Sequence, residues 1–255
     1  MNKPSNEFPK YILPKSIFPE RFLCLSGSAL KLIAIITMLI DHIGAILLVR
    51  YAPANEALFH LFGKDYSLYR VSRDIGRIAF PIFCFLLVEG FIHTRNRFRY
   101  GWNLFLFALI SEIPWNMWHN NGHLLYPLKQ NVFFTLFFGY VAFCLLEYFW
   151  ENQWIQILSV IALLIIAYYF HADYGWKGFI FLLIMYWFRM ERPAQAVIGS
   201  CWLHYEWKAL FAFIPINLYN GERGFIKGTF GKYFFYAFYP VHILILLIIK
   251  HYVGF

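Results

Sequence analysis

Charge is what this sequence has least of: Asp, Glu, Lys and Arg make up 14% of its 255 residues, against about a quarter in a soluble domain. So low a share excludes an ordinary water-soluble domain, because the apolar residues here come in runs and a bilayer crossing takes roughly 20 helical residues. Cysteine is also scarce. Cys24, Cys84, Cys144 and Cys201 form no Cys-x-x-Cys pair, which excludes a disulfide framework and a zinc site, and no metal is expected. Three of the four fall within apolar runs, where a thiol acts as a small hydrophobe. There is no Gly-x-Ser-x-Gly elbow, phosphate-binding glycine loop, dinucleotide fingerprint or His-Glu-x-x-His, so the soluble catalytic signatures are missing. Neither an internal repeat nor a low-complexity tract is found. The first apolar run follows a long polar leader and lacks a small-residue cleavage site, so it reads as an uncleaved first span.

What the sequence does have is apolar surface: 60% hydrophobic and 22% aromatic residues, with a formal charge of +8. The basic residues sit mostly at the ends of apolar runs, as topology anchors and lipid-phosphate contacts do. The bilayer is therefore the expected partner, and nucleic acid is not. The fold class is all-α: a polytopic membrane helix bundle of about nine transmembrane helices, amino terminus inside and carboxyl terminus outside. Residues 1–28 read as a cytoplasmic leader and 29–255 as a single transmembrane domain. Spans are expected near residues 29–49, 76–93, 101–118, 131–150, 154–170, 175–188, 193–203, 207–218 and 233–252. The seventh and eighth are short enough to be half-helices. The 51–75 stretch is the longest connection and is expected to hold an interfacial helix. This arrangement puts twelve Lys and Arg on the inner side against nine outside, a margin narrowed by the basic 51–75 connection.

Ionisable residues inside a span cost about 2.5–3.5 kcal/mol each on insertion scales, so each marks a cavity or a partner. Asp41 and His42 lie well within the first span. Neighbours on a helix are about 100° apart, so the two face different directions. His42 shares a face with Met38, Ile35 and Lys31, and Lys31 lies roughly 16 Å nearer the cytoplasm. A cation at the inner surface and a deeper imidazole on one face suit a long phosphate-bearing donor; otherwise Lys31 snorkels and His42 bonds another helix. Glu112 sits beside Pro114 in the third span, either near a cavity or paired with a basic residue such as Arg77 at a kink. In the last span Tyr239 and His242 share a face, with Pro240 between them. Gln130-Asn131 opens the fourth span and Asp173-Tyr-Gly-Trp-Lys177 the sixth, both outward. Asn220-Gly-Glu-Arg-Gly224 forms an inner turn suited to an anion, or a plain turn and anchor. Arg95, Arg97 and Arg99 read first as anchors and second as phosphate ligands.

Several motifs, taken together, resemble the TraX family of multi-pass membrane proteins, named for a conjugative pilin acetylase. They are Asp41-His-Ile-Gly44, Gly76-Arg-Ile-Ala-Phe-Pro-Ile-Phe-Cys-Phe-Leu-Leu-Val-Glu-Gly90, Phe107-Ala-Leu-Ile-Ser-Glu-Ile-Pro114, Gln130-Asn-Val-Phe-Phe-Thr135, Asp173-Tyr-Gly175, Leu218-Tyr-Asn-Gly-Glu-Arg-Gly224 and Phe235-Tyr-Ala-Phe-Tyr-Pro-Val-His242. The first span is also similar to the opening helix of the wider membrane acyltransferases, which carry an Arg and, eleven residues on, a functional His; Lys31 stands in place of that Arg. The resemblance implies acetyl-CoA as co-substrate, an amine or hydroxyl acceptor in or outside the membrane, and a place in the cytoplasmic membrane. It further suggests Lys31, Asn220 and Arg223, with Arg95 or Arg97, for the donor phosphates. His42 would be general base or acetyl carrier, oriented by Asp41, Glu112 or His242 beside Tyr239. Arg77, Gln130, Asn131 and Asp173 would line the outward mouth. The rival readings are a small-molecule or proton-coupled transporter, in which the same buried charges form a pathway, and an assembly scaffold for another membrane complex, in which those charges can be neutralised without loss of function.

Overall fold

The computed structural model describes residues 14–61, 63–120, 122–126 and 128–254. The leader's first thirteen residues and its suggested surface helix lie outside them in whole or part. Helix α1 (Gly27–Ile46) starts because Ser26 caps it, accepting from the Ala29 amide. It begins two residues before the expected span. Residues 14–26 are not detached from the bundle: Leu25 donates to the Leu218 carbonyl, Ser16 Oγ to that of Asn217 at 2.5 Å, and Lys15 pairs with Glu191 at 2.7 Å.

The 51–75 connection departs most from expectation. Instead of an interfacial helix alone it folds as a short helix α2 (Ala52–Asn55), an antiparallel hairpin of β1 (Ala57–Leu61) and β2 (Lys64–Ser67), and helix α3 (Leu68–Gly76). Among the described residues, a mostly helical fold thus contains one hairpin. Gly63, at φ +70°, supplies the turn conformation that glycine favours. Helix α3 packs tightly along the end of α1, because each helix turns a glycine to the contact: a Cβ on Gly44 of α1 would sit 2.1 Å from Ser72 Oγ, and one on Gly76 of α3 would sit 2.2 Å from the Asp41 side chain. It runs almost directly into α4 (Ala79–His93), so the second apolar segment begins at Leu68 rather than Gly76.

Helices α5 (Arg97–His119), α6 (Val132–Tyr148), α7 (Gln153–Tyr169), α8 (Gly175–Trp187) and α9 (Arg192–Trp202) follow. A 3-10 segment (His204–Ala212) then leads into α10 (Phe213–Asn217), and α11 (Gly228–Val253) closes the chain. Asn96, Asn131 and Asn152 cap α5, α6 and α7 through their side-chain oxygens. Helix α5 continues through Pro114, and α11 through Pro240. Among the described residues three segments, 27–50, 68–93 and 228–253, are long and apolar enough to cross a membrane, and α6, α7 and α8 are shorter apolar helices. The molecule is a membrane protein with a mostly helical fold.

Contacts near the helix ends sort the bundle into two poles. At one, Ser28 meets Arg223 and Ile226, Leu25 meets Leu218, and Arg97 pairs with Glu147. At the other, Asp41 meets Arg73, Arg77 meets Glu206, and Trp202 donates to the Lys177 carbonyl. Helix α9 leads from Arg192, which donates to the Tyr219 carbonyl, to Trp202, and the chain returns from Glu206 to Asn217 beside Ser16.

Candidate functional site

Two histidines from distant parts of the chain meet inside the second pole. His42 of α1 and His242 of α11 are 7% and 5% exposed. Their rings are nearly parallel with centroids 4.8 Å apart, and His42 Nδ1 lies 2.5 Å from His242 Nε2. Trp118 and Tyr239 stand edge-on to His42 at 5.4 and 5.9 Å, and Phe238 stacks on His242 at 4.9 Å. His242 Nδ1 is 2.6 Å from the Phe238 carbonyl oxygen. A carbonyl only accepts, so this nitrogen carries the proton, and His242 Nε2 is left to accept. His42 must then donate from Nδ1, which leaves its Nε2 with a free lone pair. The hydrogen-bonding network thus assigns the tautomers of both rings.

A cavity of about 320 Å³ reaches His42. Its wall combines Asp41, Arg73 and Arg77 with Trp115 and Trp118, and with Lys129, Asp173, Tyr174, Lys177, Tyr205 and Glu206. Ion pairs organise it: Asp41 with Arg73 at 2.7 Å, Glu206 with Arg77 at 3.2 Å, and Asp173 with Lys129 at 3.6 Å. Burial lifts the Glu206 carboxyl above its usual range, while Arg77 pulls it down. Tyr174 holds φ at 63°, a left-handed conformation costing a non-glycine residue on the order of 1–3 kcal/mol. Its ring stacks on Phe80 at 3.7 Å. A larger recess of about 440 Å³ between α5 and α6 is almost wholly apolar and brings no set of polar groups together.

Of the residues singled out by sequence, the structure brings His42, His242, Tyr239, Asp41, Arg77 and Asp173 to this pole. Asp41 is engaged by Arg73 rather than by His42, as the turn of about 100° between neighbours on a helix allows. Glu112 does not pair with Arg77. It accepts from both the backbone and side-chain amides of Asn131, the latter contact being very short. Asn131 is fully buried, donates to the Ala108 carbonyl at 2.8 Å and caps α6, so this pair fastens α5 to α6 rather than lining the mouth. Gln130 is absent from the cavity's wall; its backbone bonds His171 and Asp173, and its side-chain amide donates to the Tyr126 carbonyl.

Lys31, Asn220 and Arg223 gather at the opposite pole. Lys31 Nζ lies 5.6 Å from the Phe235 ring centre and feels the charge of Arg223. The Arg223 carbonyl accepts from both the amide and hydroxyl of Ser28, and Asn220 Oδ1 accepts from Glu222. Between Lys31 and His42 the shared face of α1 is buried at Ile35 and Met38. Arg97 is taken up by Glu147 at 2.5 Å and by the Phe91 ring, which suits an anchor better than a phosphate ligand. Arg95 is exposed at the same helix start. The sequence pattern does not mark Arg73, Trp118, Lys129, Tyr205 and Glu206 as site residues. For Arg73, Lys129 and Glu206 the one signal is the crowd of charges in the outward connections.

The sequence model of the family described as TraX protein matches residues 26–250. A protein of Dichelobacter nodosus, described as a probable fimbrial assembly protein FimC of serogroup H1, is 30% identical over 257 residues, covering 89% of this chain and 96% of the relative. No solved structure matches.

Proposed function

The chain belongs to the TraX family, and on that premise we propose that it is a membrane-embedded acetyltransferase, moving acetyl from cytoplasmic acetyl-CoA to an amine or hydroxyl on a membrane-bound or extracytoplasmic acceptor. One observation carries the reading: a buried imidazole whose Nδ1 is held by a second histidine, beside a polar cavity. That is the arrangement of an oriented general base.

Donor phosphates bind Lys31 and Arg223 at the inner pole, and the thioester reaches His42 along α1 only once the packing that buries Ile35 and Met38 parts to admit it. His42 Nε2 takes the proton of the acceptor amine or hydroxyl as its nitrogen or oxygen attacks the thioester carbonyl. The new C–N or C–O bond forms, the C–S bond breaks, and the leaving thiolate recovers the proton from His42. Atoms and charge balance, and no metal is invoked. His242 keeps His42 in the required tautomer. The chain crosses the cytoplasmic membrane nine times, amino terminus in, with the histidine pole outward. The description of the Dichelobacter relative makes a surface-fibre subunit the first acceptor to try.

Purified protein in nanodiscs is incubated with radiolabelled acetyl-CoA and a fibre-subunit amino-terminal peptide or a hydroxyl-bearing envelope glycan. Label should move to an acceptor with the unaltered protein and not with His42→Ala. A protein that neither binds acetyl-CoA nor transfers label is a transporter or scaffold instead.

A further inference from the structure

The cavity wall is not electrically balanced. It contains four cations, Arg73, Arg77, Lys129 and Lys177, and three carboxylates, Asp41, Asp173 and Glu206. Each carboxylate has its own cation within salt-bridge distance. Lys177 is the remainder: among the described residues it has no carboxylate in salt-bridge reach. Its Nζ rests over the rings of Tyr205 at 4.5 Å and Trp176 at 5.9 Å. Its charge acts on Glu206 from a distance, but that carboxylate is already held by Arg77. Lys177 also lies in the first turn of α8, where the helix dipole disfavours a cation. Stacking on the aromatic rings holds the ammonium at the mouth without neutralising it.

We infer that the acceptor carries an oxyanion, a carboxylate or phosphate, which docks on Lys177 while its nucleophile faces His42. This inference rests on the acetyltransfer reading and names the substrate class for it. At about 320 Å³ the cavity lies at the small end of ligand sites. It therefore holds one small end group of the acceptor rather than a long stretch of it. The three ion pairs keep the other charges occupied, so an incoming anion meets one available cation, and an acceptor without an anion leaves that cation unmatched.

The test compares three primary amines that differ at one end: ethanolamine, β-alanine and phosphoethanolamine. Binding to the purified full chain is read by saturation-transfer NMR at low ionic strength, without acetyl-CoA. The anionic amines should bind about tenfold or more tighter than ethanolamine, the scale of one charge-assisted hydrogen bond. Lys177→Gln should bring that ratio close to one, Lys177→Arg should keep most of it, and added salt should shrink it. Whichever of β-alanine and phosphoethanolamine binds tighter identifies the oxyanion. Equal binding of all three by the unaltered protein, no binding of any, or a ratio that survives Lys177→Gln, overturns the inference. Acetyl transfer is measured separately on the same preparations. Anion preference without transfer to any acceptor would sink the enzyme reading and leave the oxyanion site standing.

Discussion

His42 and His242 lie 200 residues apart in the chain and 2.5 Å apart in space, and their proposed roles are separable by substitution. His42→Ala removes the base, and transfer should fall by about 10²–10⁴-fold. His242→Ala leaves a base but frees its tautomer and leaves a buried N–H of His42 without an acceptor, so the loss should sit at the low end of that range. His242→Gln restores a side-chain oxygen that accepts, and should recover part of the rate. Equal loss in Ala and Gln variants, with both folded, would show that His242 merely fills space. Much at this scale was legible beforehand. A histidine inside an apolar run stands out on insertion cost, and both were marked for that reason. What no linear pattern conveys is which buried polar group meets which. Asp41 adjoins His42 in sequence and is turned away from it by the helix, while Glu112, marked for the same cavity, spends its oxygen on Asn131.

The elements were legible where apolar runs are bounded by caps, and opaque where the chain is polar. Asn131 shows both sides of this. Its sequence position suggests an outward polar residue at the mouth of the cavity, yet it caps α6 and holds Glu112. Asn131→Ala should cost about 1–2 kcal/mol for the cap, with a further loss for the hydrogen bonds to the carboxylate, read from the unfolding midpoint in a denaturing detergent series. Asn131→Asp separates the two contributions. It retains a capping oxygen but sets a second carboxylate against Glu112, so it should be at least as damaging as Ala. A neutral Asp variant would reduce the residue to a simple cap. The α1–α3 contact is a second case, hidden because the connecting stretch offers no long apolar run. Gly76→Ala forces a methyl into the Asp41 side chain. Since helix backbones on both sides are packed, Asp41 and Arg73 must move, and transfer should drop more than thermal stability does. An unchanged rate with a lowered melting point would disconnect that ion pair from the site.

At the scale of the whole molecule, the weak point of the sequence reading was the near balance of positive charge between the two sides. The structure gives a physical reason for it. Arg73, Arg77, Lys129 and Lys208, four of the nine cations assigned outward, are held by Asp41, Glu206, Asp173 and Asp74. Three of them line the cavity, as does Lys177. These residues build a site and its surroundings, so they carry little weight as topology anchors, and the count without them favours the inner side more strongly. Helix α1 starts beside the turn that precedes α11, and the two helices meet again at His42 and His242, so they run in the same direction through the bundle. The orientation is checked with single cysteines in a cysteine-free background. His123→Cys lies in the exposed connection before α6, and Glu151→Cys in the exposed one before α7. A membrane-impermeant maleimide should label the first in intact cells and the second only after permeabilisation. The reverse pattern would place the histidine chamber on the cytoplasmic side, where acetyl-CoA would reach it directly and an extracytoplasmic acceptor would not. Labelling of both in intact cells would mean that α6 does not separate the two sides, and the nine-pass topology would fail.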